Sequence, residues 1–309
     1  MTSAAATTVA ISLGRTEPRR VGLNPTALRY RRGEPGDRLA RPERGGTVET
    51  ITVERAEGVV TVTLNRPRKK NAMTPTMWVE LLEVFDQVEA DRADRALVIT
   101  GAEDAFCSGA DLTEGAAGEE DAGGVAASLE RMQLVSRCAL RLHELRTPTL
   151  AAVNGVAAGA GLNLALGCDL VVASDRARFS EIFSKRGLSV DFGGSWLLPR
   201  LVGLHRAKEL VFLADIIDAA EAERIGLVNR VVPEAEFAGV VADLAARLAA
   251  LPPIQVANSK RLLNQSSSVS MAEALEAEGL AQALSFQTRD TIEAILAFVQ
   301  KRDPRFEGR

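Results

Sequence analysis

Residues 149–169 read TLAAVNGVAAGAGLNLALGCD, an apolar strand, a run of small residues and an apolar helix in immediate succession. Gly155, Ala157, Ala158, Gly159, Ala160 and Gly161 leave the main chain almost bare, so its N–H groups can approach a ligand from the start of the following helix. Small residues also serve simply to seat a helix close on a sheet, so the surrounding sequence decides between the two readings. Upstream, Ala96–Thr100 (ALVIT) reads as a short buried strand. After Gly101, the run Ala105–Leu112 (AFCSGADL) again ends a strand in a small-residue turn, with an N–H near Ala110. Two such turns suit a reaction that gathers negative charge on a carbonyl oxygen, as when a proton leaves the carbon beside a thioester. Loss of one such preorganised donor costs about 2.7–4 kcal/mol of transition-state stabilisation.

Arg68, Lys69 and Lys70 follow Pro67 and place three cations in one turn. That suits a phosphate-rich ligand, and equally a solvated basic loop. The two histidines, His143 and His205, show no ligand spacing such as HExxH, which argues against a metal site or a serine triad. Cys107, Cys138 and Cys168 are too far apart for CxxC chemistry and sit in apolar company. They read as small buried residues of a reducing compartment, and a cytoplasmic setting is expected.

The chain resembles the crotonase, or enoyl-CoA hydratase/isomerase, superfamily. The resemblance runs from about Val48 to the C-terminus and is carried by six blocks in order: VTLNRPRKKNAM, ITGAEDAFCSGADL, AAVNGVAAGAGLNLALGCDLVVAS, GGSWLLPRLVG, AERIGLVNRVVP and AFVQKRDPRF. It implies that Ala110 and Ala160 carry the two oxyanion-hole N–H groups. It further implies that Arg68, Lys69, Lys70 and Ala72 lie along coenzyme A, and that Ser108, Gly109, Asp111 and Leu112 border the thioester. Coenzyme A enters as part of the substrate, and no separate cofactor is expected.

Departures from the family pattern bear on the chemistry. Members that hydrate enoyl-CoA carry two glutamates; the matching positions here hold Asn163 and Phe183, which cannot exchange a proton with substrate and are expected only to contact it. A different carboxylate, Asp191, follows in GLSVDFGGSWLLPRLVG. Its apolar, glycine-rich neighbours penalise the charged form and bring its pKa toward the range of acid/base catalysis. The placement resembles the isomerase branch, nearest to the epoxy-phenylacetyl-CoA isomerases, although Ser189-Val190 replaces the usual residues before the aspartate. The same aspartate could instead cap or turn the chain into the next helix. Glu181, two residues before Phe183, reads as a surface carboxylate near Lys185 and Arg186 and replaces the missing glutamate only if the local backbone is rearranged; Glu114 reads as an exposed loop residue, with the acyl pocket as its alternative.

Two classes of function are therefore carried forward. One is an acyl-CoA isomerase with Ala110 and Ala160 polarising the thioester and Asp191 moving a proton, with enoyl-CoA hydratase as the alternative enzyme. The other is a catalytically weak acyl-CoA-binding member.

The 309 residues, 46% hydrophobic and 25% charged, suffice for one large α/β core with an extension. A net charge of -4 speaks against a general nucleic-acid binder, and no apolar run reaches the roughly 20 residues of a membrane span. Residues 1–46 mix Arg, Pro and Gly without apolar periodicity, which predicts a disordered extension. A catalytic core is expected over 47–250 and a helical oligomerisation region over 251–309.

The fold class read from this pattern is α/β. Thr50–Leu64 alternates as a hairpin about Glu57-Gly58. Helices are predicted over Met77–Ala90 and Ser128–Leu145, strands over Thr149–Val153 and Leu170–Ala173, and helix from Pro252-Pro253 to the end. The resemblance implies a spiral of ββα units whose C-terminal helices pack in a homotrimer or a dimer of trimers, with Phe298 and Lys301 completing a neighbouring coenzyme A site.

Overall fold

The computed structural model describes residues 50–113 and 124–309; the expected extension over 1–46 and Glu114 lie outside the described residues. Strand β1 (Ile51–Ala56) turns at Glu57-Gly58 into the antiparallel β2 (Val59–Leu64). Both turn residues have positive φ, 50° and 81°, the backbone twist that joins two strands by a two-residue loop. Helix α1 (Pro75–Ala90) follows. Thr74 caps it by accepting from the Met77 amide at 3.1 Å, and Pro75 fills the first turn, where a missing N–H costs nothing. Its Met77, Trp78, Leu81, Phe85 and Val88 are buried, as the helical spacing predicts.

From there the chain repeats one motif. A longer strand is followed by a very short strand and a helix: β3 (Ala96–Gly101), β4 (Ala105–Cys107) and α2 (Gly124–Glu144); then β5 (Thr149–Val153), β6 (Val156–Ala158) and α3 (Ala160–Leu166); then β7 (Leu170–Ser174), β8 (Arg178–Ser180), α4 (Gly194–Val202) and α5 (Leu204–Leu213). β9 (Ile217–Asp218), α6 (Ala219–Arg224), β10 (Arg230–Val232) and α7 (Glu234–Ala249) close the core. The longer strands build one sheet in the order β1-β2-β3-β5-β7-β10, and the short ones a second in the order β4-β6-β8-β9. This is the ββα spiral expected.

β5 is buried along its whole length, as a strand covered on both faces must be. α1, α2 and α3 contribute to the core on one side, while Phe237 and Ala245 of α7 pack with Val98, Leu150, Ala152 and Val172 in a second cluster. Between β5 and β6 the chain bends so close to the neighbouring corner that a Cβ on Gly155 would lie 2.1 Å from the Asp104 carbonyl oxygen.

α8 (Pro253–Gln265), α9 (Met271–Ser285) and α10 (Arg289–Gln300) form the C-terminal region. The expectation of helix to the end is corrected over the last residues, which return to the start of α10. There the Asp290 carboxylate accepts the amides of Glu307 at 2.8 Å and Gly308 at 2.9 Å. Large apolar side chains on these helices, among them Leu280, Leu284, Ile292, Ile295, Phe298 and Val299, are exposed in the single chain. Among the described residues no single helix is long and apolar enough to cross a membrane.

Candidate active site

The two bare turns lie side by side. β4 and β6 are parallel neighbours, and β6 leads through Gly159 into α3. Met73 donates its amide to the Gly109 carbonyl at 2.8 Å, and its carbonyl accepts the Asp111 amide at 2.8 Å. Successive amides alternate sides along an extended chain, so the intervening Ala110 N–H is turned away from Met73. Ala160 is the first residue of α3, whose leading N–H groups have no partner within the helix. A Cβ on Gly109 would sit 3.0 Å from the Ala158 carbonyl oxygen and 3.9 Å from the Ala160 nitrogen; its φ is 99°. Among the described residues neither the Ala110 nor the Ala160 amide is taken up by another main-chain group.

The basic turn is fastened to the same place. Ser108 donates its amide to the Lys70 carbonyl at 3.0 Å and its hydroxyl to the Lys69 carbonyl at 3.2 Å. Arg68, Lys69 and Lys70 are all exposed, and the Lys70 ammonium pairs with Asp104 at 2.6 Å. Asn71, which drew no attention in the sequence, is the clamp beneath them. Fully buried, its side chain accepts from the Arg66 amide at 2.9 Å and donates to the carbonyls of Ala102 at 3.0 Å and Ala105 at 2.8 Å. Its φ of 56° is one that asparagine tolerates better than most residues.

Ala72 is buried, and its carbonyl accepts from the Arg66 guanidinium at 2.6 Å. Leu112 is half exposed beside the turn. The Asp111 carboxylate is engaged within the fold. The Thr113 hydroxyl and the Arg66 guanidinium, at 2.6 and 3.0 Å, engage it and hold its pKa down to about 2.

The acidic side of the site centres on Asn163, fully buried on α3. Its Nδ2 donates to the Asp191 carbonyl at 3.0 Å and lies 3.4 Å from Glu181 Oε2. Gly194 presses on it so closely that a Cβ there would be 2.4 Å from that nitrogen. Asp191 ends the loop before α4. Its main-chain carbonyl accepts the Gly194 amide at 2.9 Å, but α4 is capped by Gly193 without any side-chain bond. The Asp191 side chain therefore does not cap α4, while its main chain makes the turn into that helix. Its Oδ1 is buried without a partner, and burial pushes the carboxyl up to about 6.

The next residue, Phe192, has φ of 48°, a strained conformation for a bulky side chain, and its ring stacks on Trp78 at 5.1 Å. Phe183 is buried with its ring against the turn that starts α3: a Cβ on Gly159 would meet its Cζ at 3.6 Å.

Glu181 overturns its expectation. Instead of lying at the surface it is 1% exposed, while Lys185 bonds to the Ala214 carbonyl and Asp215. Burial, together with the nearby Asp191 charge, pushes Glu181 up to about 8 against the opposing Asn163 contact. Glu181 directly follows β8, and its neighbours Phe179, Ser180 and Phe183 are buried with it.

The other polar candidates stay outside this cluster. The three cysteines are free and buried, with burial pushing Cys107 and Cys168 up to about 12 and Cys138 upward as well, so none is a ready nucleophile. His143 packs edge-on to Trp196 at 5.2 Å, and burial lowers its pKa. Among the described residues no group of His, Cys, Asp and Glu could hold a metal ion. Phe298 and Lys301 lie at the end of α10; both are exposed, and no main-chain hydrogen bond ties them to the elements carrying Ala110, Ala160 or Asp191.

The family model for enoyl-CoA hydratase/isomerase matches residues 54–309. A 1,2-epoxyphenylacetyl-CoA isomerase of Escherichia coli K12 is 38% identical over 263 residues, 85% of this chain and 100% of that protein. A short-chain-enoyl-CoA hydratase of Clostridium acetobutylicum is 35% identical over 271 residues, 84% of this chain and 98% of that one. Among solved structures, an enoyl-CoA hydratase from Bacillus anthracis superposes with a TM-score of 0.80 at 32% identity, covering 84% of this chain and all of that one. The spiral of ββα units, the paired bare turns and these likenesses agree: the chain belongs to the enoyl-CoA hydratase/isomerase family of the crotonase superfamily.

Proposed function

We propose that the protein is an acyl-CoA isomerase. The thioester carbonyl oxygen is received by the amides of Ala110 and Ala160, and Asp191 moves the proton. In the first step a C–H bond next to the thioester, or conjugated with it, breaks. The proton bonds to the Asp191 carboxylate, and the electron pair spreads onto the carbonyl oxygen as an enolate. In the second step the same proton returns to a different carbon, so the product has the mass of the substrate. Two preorganised donors hold the developing charge, each worth about 2.7–4 kcal/mol.

The observation that carries this reading is Asp191 Oδ1, a buried carboxylate oxygen without a structural task. Such a group, raised to about 6, is mostly ionised near neutral pH and still basic enough to take a proton. Arg68 and Lys69, with Lys70 partly engaged by Asp104, supply positive charge for the coenzyme A phosphates. No further cofactor enters this scheme. The exposed apolar face of α9 and α10 supports assembly as a homotrimer or a dimer of trimers, in which Phe298 and Lys301 reach a neighbouring site. The three free thiols fit a cytoplasmic setting.

Hydration is the second enzymatic reading, favoured by one observation: Glu181 supplies a second buried carboxyl beside Asp191. A panel of enoyl-CoA and epoxyacyl-CoA thioesters, read by mass spectrometry, decides the matter. Rearranged product of unchanged mass, with little water addition to crotonyl-CoA, is the expected result. Efficient gain of one water overturns the isomerase reading, and tight binding with no turnover indicates a binding member.

A further inference from the structure

Three acidic side chains are buried among the described residues: Asp94, Glu181 and Asp290. Asp94 is paired with Arg55 at 3.2 Å, and Asp290 accepts two amides of the C-terminal tail. Glu181 is the deepest of the three and has neither kind of support. Among the described residues its single hydrogen-bond neighbour is Asn163 Nδ2 at 3.4 Å, and its Oε1 has no partner. A buried carboxylate with no cation and a single long amide contact is strongly disfavoured, so this carboxyl holds its proton.

Among the described residues no cation acts on Glu181. On β8, Arg178 bonds to the carbonyls of Arg176 and Ala177; on β9, Asp218 caps α6; beyond Phe183, Lys185 is drawn to Asp215. The charge that does reach Glu181 is that of Asp191.

The two acidic residues are joined by one amide. Asn163 Nδ2 carries two hydrogens; one is donated to the Asp191 carbonyl at 3.0 Å, and Glu181 Oε2 lies 3.4 Å from the same nitrogen. Gly194, the residue whose amide bonds back to Asp191, leaves that side chain no room to shift. We propose that Glu181 is a positioning residue of the active site, a neutral carboxyl that braces the Asn163 amide and, through it, the Asp191 main chain. The inference rests on the role given to Asp191 above. Ionising Glu181 would set a second negative charge beside Asp191 and draw the Asn163 amide toward itself. The competent form therefore has Asp191 ionised and Glu181 protonated. Burial pushes the two groups up to about 6 and about 8, which places that form between these pH values.

Glu181→Gln tests this, because the amide keeps the neutral shape and cannot ionise. In the wild type, kcat/KM should rise through about pH 6 and fall through about pH 8. In Glu181→Gln the acid limb should persist and the alkaline limb disappear, with KM changed by less than about twofold. A folded Glu181→Gln protein that keeps the alkaline limb, or has no activity, overturns the proposal. Infrared spectra of the ligand-free full chain give a reading independent of turnover. A protonated-carboxyl band at neutral pH in the wild type, absent from Glu181→Gln, is expected, and its absence from the wild type overturns the proposal. If that band is present while the thioester panel shows no rearrangement, the isomerase reading fails and the neutral Glu181 brace stands.

Discussion

The side-chain amide of Asn163 donates to the main-chain carbonyl of Asp191 at 3.0 Å, tying the helix that starts at one bare turn to the loop that carries the acid. Asn163, at the position where the resemblance implies a glutamate in members that hydrate enoyl-CoA, is here a fixed donor, and the main chain of a carboxylate residue on a different loop is bonded to it. The departure from the family pattern and the presence of Asp191 are two sides of one local arrangement.

Gly109→Ala should uncouple folding from turnover. The added Cβ would meet the Ala158 carbonyl oxygen at 3.0 Å in a backbone with φ of 99°. Relief requires the Ala110 turn to move from the start of α3. A fall in kcat of about 10²-fold or more is expected, with a stability loss of about 1–3 kcal/mol. Steady-state kinetics with denaturant unfolding check both. Unchanged kcat would show that the Ala110 amide is not placed by this packing.

Asn71→Ala removes three hydrogen bonds of a buried side chain that seat the basic turn. Stability should fall by on the order of 3 kcal/mol, since buried main-chain groups lose their partner. Coenzyme A should bind more weakly, because Arg68 and Lys69 are no longer held beside Ser108. Thermal denaturation and calorimetric titration with coenzyme A measure the two effects. Loss of stability without loss of affinity would separate the turn from the ligand.

Both acids of the site have pKa values raised in the fold, Asp191 from 3.8 to about 6 and Glu181 from 4.5 to about 8. The folded state binds more protons than the unfolded chain within these windows. The stabilising contribution is therefore complete below the lower values and is lost as pH rises through the folded ones. The wild type should lose on the order of a few kcal/mol between about pH 4 and pH 8 from these groups. The Asp191→Asn, Glu181→Gln double variant should show a flatter curve in that range. Parallel pH dependence of denaturant unfolding in the two proteins would contradict the assignment of the raised values.

Much of the fold could be read from residue spacing. Thr149–Val153 is a strand with the bounds its apolar run suggests, and Glu57-Gly58 turns the hairpin as its residue types require. β6, β8 and β9 could not be read, because segments of two or three residues are too short to show a period. Asp191 was legible from its apolar, glycine-rich neighbours. Glu181 was not, because two cations close in sequence suggested solvent, whereas the turn after β8 carries it inward with Phe183. Asn71 escaped notice because its three partners lie up to 34 residues away in the chain.

Hydrogen exchange at the substrate carbon tests the proton-shuttle role without knowledge of the natural acyl group. Acyl-CoA thioesters are incubated in deuterated water with wild type or Asp191→Asn, and deuterium uptake next to or conjugated with the carbonyl is followed by mass spectrometry. The wild type should catalyse uptake, and Asp191→Asn should slow it by at least about 10²-fold while binding coenzyme A with unchanged affinity. Deuterium uptake by Asp191→Asn at the wild-type rate would contradict Asp191 as the group that moves the proton.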